Sequence, residues 1–286
     1  MANQLESLNK SLMGMLLTQL EEKLDADVFV YYGEIINGVE RDVKDIIEDL
    51  SKTSDKHAKI YVVLTTPGGS LPPVQRMVDI LRHFYDEVNF IVPDYAYSAG
   101  TIWCMSGDNI YMNYFSTLGP IDPQVQNKDG KLVAALGYLD KINELLEKAK
   151  NDELTKAEFL ILKDFDLAEI RSYEQAKELA VDMLKIWLTK YKFKDWTKHS
   201  DGTDVTAAEK ENRAIEIAKK LSDNNIWRSH GRPIGIQTLR EELHLKIVDF
   251  GENEELSDLI SKYYDGMMEY IRKHNYKLFL QTRLFI

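Results

Sequence analysis

Three apolar runs in the first half of the chain each lead into a motif of small, turn-forming residues, and this arrangement limits the folds available. Lys59–Leu64 runs into Thr65-Thr66-Pro67-Gly68-Gly69-Ser70. Val88–Val92 precedes Tyr97-Ser98-Ala99-Gly100-Thr101. Asn109–Met112 precedes Gly119-Pro120-Ile121-Asp122-Pro123-Gln124. Short continuous apolar runs bounded by turn residues read as strands buried on both faces. Helical patterns lie between them, at Pro72–Tyr85 with its prolines in the first turn and at Ser98–Met105. Alternating strands and helices predict a parallel sheet built from right-handed crossovers. Ligands of such sheets bind outside the carboxyl ends of the strands. The three motifs are therefore expected to converge on one site.

Around this centre the pattern predicts a helix over 4–24, a strand at Asp27–Tyr32 and a helix at Val39–Leu50. After Gln124 the texture becomes helical, with patterns near 132–150, 154–163, 167–191 and 206–221. A short helix at Gly235–Leu243, a strand at Lys246–Phe250 and a helix at Glu255–Lys273 follow. No Pro/Gly/Ser linker interrupts the chain, so residues 1–286 are read as one α/β domain. Its core covers about 25–125 and 225–250, its helical region about 131–221, and its C-terminal helix and tail 252–286. The tail, ending Leu278-Phe279-Leu280 and Leu284-Phe285-Ile286, is too apolar to lie free in water. It is expected to pack on its own domain or at a subunit interface.

The net charge of −11 (36 basic against 47 acidic residues) argues against a nucleic-acid or anionic-membrane surface. The single cysteine, Cys104, sits in an apolar run and reads as a core residue. Nothing resembles a signal peptide or a stretch long enough to span a membrane, which predicts a cytoplasmic protein. His57, His83, His199 and His244 make no metal-binding spacing with each other or with Cys104, so no metal is expected. Neither a Walker-type phosphate loop nor a dinucleotide fingerprint occurs, and no cofactor is expected.

Each motif has a plain reading and a chemical one. Gly68-Gly69 ends a strand as a turn, or offers a backbone N–H to a substrate carbonyl oxygen. Ser98 caps a helix, or is a nucleophile on a tight strand-to-helix turn with the Ala99 amide as a second oxyanion donor. Together, Thr-Pro-Gly-Gly, then Tyr-Ser-Ala-Gly-Thr about 30 residues later, then Leu-Gly-Pro-Ile-Asp-Pro-Gln about 20 further on, resemble the serine dehydrogenase proteinase family. That prokaryotic group is related to signal peptide peptidase A and, more distantly, to the Clp proteolytic subunit and the crotonases. Trp227-Arg228-Ser229-His230-Gly231-Arg232-Pro233-Ile234 is similar to the family's Trp-x-x-His-x-x-Pro-Ile segment.

The resemblance implies a ClpP/crotonase-like fold of repeated ββα units with a large helical insertion. It also implies a serine peptidase acting on polypeptide as a homo-oligomer, with a protein partner for regulation or substrate delivery. Ser98 would be the nucleophile and Gly68, Gly69 and Ala99 the oxyanion hole. Four residues stand as alternatives for the general base, Lys131 and His230 ahead of Lys141 and Asp122. Lys131 takes the position of the lysine in the signal peptide peptidase A relatives, and Lys141 lies farther along the same helix. Asp122 falls where the Clp subunit has its histidine. Two other readings stay open: a catalytically inactive peptide-binding or scaffold protein of the same fold, and a crotonase-type acyl-CoA enzyme.

Overall fold

A computed structural model describes residues 2–126 and 132–285. The chain runs α1 (Ala2–Leu24), β1 (Asp27–Gly33), α2 (Val39–Ser51), β2 (Lys59–Thr65), α3 (Leu71–Phe84), β3 (Glu87–Ile91), β4 (Tyr95–Ala96), α4 (Ala99–Cys104), β5 (Asn109–Met112) and β6 (Thr117–Leu118). A hairpin of β7 (Gln124–Gln126) and β8 (Leu132–Ala134) then leads into α5 (Ala135–Lys150), α6 (Lys156–Lys163) and α7 (Leu167–Trp187). The remainder is α8 (Ala207–Ser222), α9 (Asn224–Trp227), β9 (Ile234–Gly235), α10 (Ile236–Glu241), β10 (Val248–Asp249), α11 (Glu254–His274) and β11 (Leu278–Gln281). This is the expected ClpP/crotonase-like ββα architecture, with its helical insertion and C-terminal helix.

The main sheet has six strands in the order β10-β5-β3-β2-β1-β11. Every pairing is parallel except that of β11 with β1. Alternation along the strands divides the apolar residues between two faces. Phe29, Tyr31, Val62 and Leu64 face a core shared with α2, α3, α4, α7 and α8. Val28, Val30, Tyr61, Val63 and Ile91 face a second core closed by α1 and α11. Burial on both faces explains why these strands read as unbroken apolar runs. Cys104 is buried in the first core, and burial raises its thiol pKa well above the usual range.

The apolar tail packs on its own domain. Its residues 278–281 form β11, which pairs with β1 at the sheet edge, with Phe279 and Leu280 buried. A polar cluster locks it there. Arg283 Nη1 donates to Asp27 Oδ1 at 2.8 Å and to Glu21 Oε1 at 3.0 Å, and Nη2 donates to Thr53 Oγ1 at 2.9 Å. Asp27 also accepts from Tyr85 Oη at 2.7 Å and lies 2.9 Å from His57 Nδ1. Burial raises the Glu21 pKa despite the Val28 N–H and Arg283.

Removing one member of a buried ion pair typically costs about 3–5 kcal/mol, because the partner charge is stranded. Arg283→Met is expected to lose about that much unfolding free energy at neutral pH in urea titrations. A carboxyl with a raised folded-state pKa penalises the fold fully above that pKa and not at all below its unfolded value. The loss should therefore shrink on acidification, as Glu21 takes up a proton. A variant with wild-type stability would show that the cluster does not anchor the tail.

Candidate active site

The turn after β2 depends on two glycines. Gly68 has φ +103° and Gly69 φ +141°, both outside the range that L side chains accept readily. A Cβ at Gly68 would lie 2.7 Å from the Tyr97 carbonyl oxygen and 2.9 Å from Ser98 Cβ, so the turn packs directly against the Ser98 segment. Ile35 N–H donates to Gly68 O at 2.8 Å, and Ser70 N–H donates to Ile35 O at 2.8 Å. The two N–H groups of the glycine pair differ. Gly68 N–H donates to Thr66 Oγ1 at 3.1 Å, whereas Gly69 N–H has no acceptor among the described residues.

Ser98 sits between β4 and α4 at φ 51° and ψ −116°, a conformation that costs a non-glycine residue about 1–3 kcal/mol. Its surroundings hold it there. Thr66 N–H donates to Tyr95 O at 3.1 Å, Tyr97 N–H to Thr66 O at 3.0 Å, and Gly100 N–H to Tyr97 O at 2.8 Å. The Ser98 side chain does not cap α4, and Oγ has no hydrogen-bond partner among the described residues. Ala99 N–H, beside it in the chain, also lacks an acceptor there. A half-buried, unpartnered hydroxyl thus stands on a strained turn near two unpartnered backbone donors.

A small sheet in the order β4-β6-β9 brings two distant residues to the same edge. β4 runs parallel to β6, and β6 antiparallel to β9. Ser98 and Asp122 therefore follow their strands, and His230 precedes its strand, all at one end of this sheet. His230 Nδ1 lies 2.9 Å from Asp122 Oδ1. Asp122 is 1% exposed, and its Oδ2 has no hydrogen-bond partner among the described residues. A carboxylate only accepts, so the contact uses the tautomer with the proton on Nδ1, and Nε2 has no partner among the described residues.

Both segments are anchored. Thr101 Oγ1 donates to Ala96 O at 2.8 Å and lies 3.0 Å from both Gly119 O and Gly119 N, while Ile121 N–H donates to Leu221 O at 3.0 Å. Buried Trp227 donates from Nε1 to Lys220 O at 2.7 Å, and Arg228 turns the chain at φ 60°.

The other base candidates fall elsewhere. Lys141 Nζ is 2.9 Å from both carboxylate oxygens of Glu144 in an exposed ion pair, without the desolvation a basic lysine requires. Lys131 lies outside the described residues. Asp122 is the hydrogen-bond partner of His230, a link across 108 positions that the sequence reasoning missed. Its only signal was an acid between prolines in one motif and a histidine in another.

Among the described residues, no group of three or more His, Cys, Asp or Glu is arranged to hold a metal, and no helix is long and apolar enough to cross a membrane.

A strained serine turn thus stands beside a glycine turn in a ClpP/crotonase-like frame. The model of the ClpP-like SDH-type serine proteinase family matches residues 35–207, well over half the chain, and the chain belongs to that family. The match includes Gly68, Gly69, Ser98 and Asp122 and ends before His230. The uncharacterized protein MJ1495 of Methanocaldococcus jannaschii is 25% identical over 182 residues, which are 64% of this chain and 50% of that protein. The uncharacterized protein MJ0137 of the same organism is 34% identical over 74 residues, 26% of each chain. The chain thus spans about half the length of the first relative and about a quarter of the second. Two solved structures of the 1510-N membrane-bound stomatin-specific protease also align, each with a TM-score of 0.47. One, in complex with a substrate peptide, is 14% identical and covers 78% of this chain and 75% of that one. The other is 13% identical, with coverages of 81% and 84%.

The backbone at Ser98 gives a stability prediction. Glycine adopts this conformation without strain, although it costs more chain entropy on folding. Ser98→Gly is expected to be about 1 kcal/mol more stable than Ser98→Ala by chemical denaturation. Equal stabilities would remove the case for strain.

Proposed function

We propose that this chain hydrolyses peptide bonds through an acyl-enzyme, with Ser98, His230 and Asp122 as its triad. The observation that carries this reading is the 2.9 Å contact between His230 Nδ1 and buried Asp122, on the strand edge that also presents Ser98. His230 Nε2 takes the proton as Ser98 Oγ bonds to the carbonyl carbon. Asp122 holds the tautomer and stabilises the imidazolium. The Gly69 and Ala99 N–H groups receive the developing oxyanion. Collapse of the tetrahedral intermediate breaks the C–N bond, with the proton passing from Nε2 to the leaving amine. Water then repeats the sequence on the ester. Lys131 and Lys141 have no part in this scheme.

The polypeptide substrate follows from the family. Self-association is proposed from consecutive exposed apolar residues on α6: Phe159, Leu160 and Ile161 are 56%, 66% and 53% exposed. A cytoplasmic setting and a protein partner for delivery or regulation belong to the same proposal.

A fluorophosphonate probe tests the site. Ser98→Ala is expected to abolish labelling with an unchanged far-UV spectrum. His230→Ala and Asp122→Asn should slow labelling by at least about a hundredfold, within the usual worth of a positioned base. Lys131→Ala should label at the wild-type rate. If Lys131→Ala is silent while His230→Ala reacts normally, the base assignment is wrong. If Ser98→Ala labels, so is the nucleophile.

A further inference from the structure

The end of the main sheet opposite the glycine turn holds a cavity of about 580 Å³, a volume typical of small-molecule sites. It opens where β5 and β10 begin, with Asn109 as the first residue of β5 and Lys246 two residues before β10. Lys192, Lys246, Arg213 and His244 line it, together with Phe193 and Trp196. The charges are unevenly answered. Lys192 Nζ has only the Asp108 carbonyl oxygen at 3.4 Å, and Lys246 has no partner among the described residues. The Asp108 carboxylate, also in the lining, is already held by Arg82 at 2.7 Å and Lys194 at 2.5 Å. Asp195, the other acid of the lining, is exposed to solvent. Arg213 is paired with Glu216 and donates from Nη2 to Leu243 O at 2.5 Å.

Two ammonium groups without carboxylate partners thus share one cavity. Burial, followed by the Lys246 charge and partly offset by Asp108, lowers the Lys192 pKa to about 8. Like charges brought close together repel unless a ligand of opposite charge answers them, here with Lys192 half-buried and Lys246 exposed. Beside them, Trp196 meets the ring of Phe193 edge-on, with centroids 5.7 Å apart, and is itself half-buried. A flat aromatic surface next to paired cations suits a planar ring bearing a phosphate.

We infer that this cavity binds a nucleotide-like ligand, its phosphate on Lys192 and Lys246 and its ring against Trp196. The inference is independent of the serine peptidase reading, because the cavity and the Ser98 turn lie at opposite ends of the parallel strands.

Isothermal titration of the full chain with AMP, and separately with inorganic phosphate, tests it. AMP is expected to bind one per chain, and phosphate at least tenfold more weakly. Lys246→Met, at an exposed position, should weaken AMP tenfold or more, in line with loss of a charged hydrogen bond. Its fluorophosphonate labelling should stay at the wild-type rate. Trp196→Leu should lower the affinity for AMP and leave that for phosphate unchanged. Lys192→Met should raise the melting temperature of the ligand-free protein by removing an unanswered charge. No heat with millimolar AMP, wild-type AMP affinity in Lys246→Met, or phosphate binding as tightly as AMP would each overturn the proposal. So would a destabilised Lys192→Met, which would assign that lysine to the fold.

Discussion

Thr66 is the residue through which the sheet and the candidate site are joined. Its backbone N–H donates to Tyr95 O and its carbonyl accepts from Tyr97 N–H, in a parallel bridge to Ala96. That bridge couples the end of the six-stranded sheet to the first strand of the small one. Its hydroxyl accepts the Gly68 N–H, which shapes the glycine turn and leaves Gly69 N–H unpartnered among the described residues. Its methyl lies where a Cβ at Gly100 would fall, 2.3 Å away, so the helix after Ser98 can approach only with glycine there. One side chain therefore sets the glycine turn, the serine turn and the distance between them. The rigid parallel strands behind it supply the frame, as expected for strained conformations that persist only when over-determined.

The histidine reaches the same edge by a different route. Nothing local to residues 223–235 requires it to meet Asp122. The meeting depends on α8, whose C-terminal turn supplies Leu221 O to Ile121 N–H and Lys220 O to the Trp227 indole. One helical turn thus positions the segments on either side of the His230–Asp122 contact. The helical insertion has a structural role in the site as well as its apolar outer face. The acid precedes the histidine in the chain and occupies the place where the Clp pattern has its histidine. Triads are defined by geometry and role rather than by order.

The parallel strands of the main sheet were legible because burial on both faces writes itself as continuous apolar sequence, and the amphipathic helices because their spacing repeats. The strands β4, β6 and β9 were not. Each has two residues, too few for any periodicity, and their pairing is fixed by tertiary contacts. Because that sheet carries Ser98, Asp122 and His230 to one edge, the residues could be nominated from their motifs but not assembled. β11 was hidden for another reason. Leu278–Gln281 looks like an apolar tail, and its role as an edge strand is set by Arg283 reaching Asp27 and Glu21, more than 250 positions away. The choice between Gly68 and Gly69 was equally out of reach, since it depends on which N–H the Thr66 hydroxyl takes.

Two features of this fold are costly taken alone: a serine at positive φ, and a buried aspartate with one oxygen unpartnered among the described residues. The Arg283 cluster, by contrast, satisfies its polar groups. There, each carboxylate and each guanidinium nitrogen engaged in the cluster finds a partner. Buried polar atoms without a hydrogen bond among the described residues also lie away from the candidate site, at Trp103 Nε1, Thr189 Oγ1 and Gln281 Nε2, so an unsatisfied group alone does not mark a site. At the candidate site the buried Asp122 carboxylate contacts His230, and the Ser98 hydroxyl does not cap its helix. A break in the local rules of folding points to function where it coincides with an independent motif, as the positive φ does at Ser98 in Tyr97-Ser98-Ala99-Gly100-Thr101.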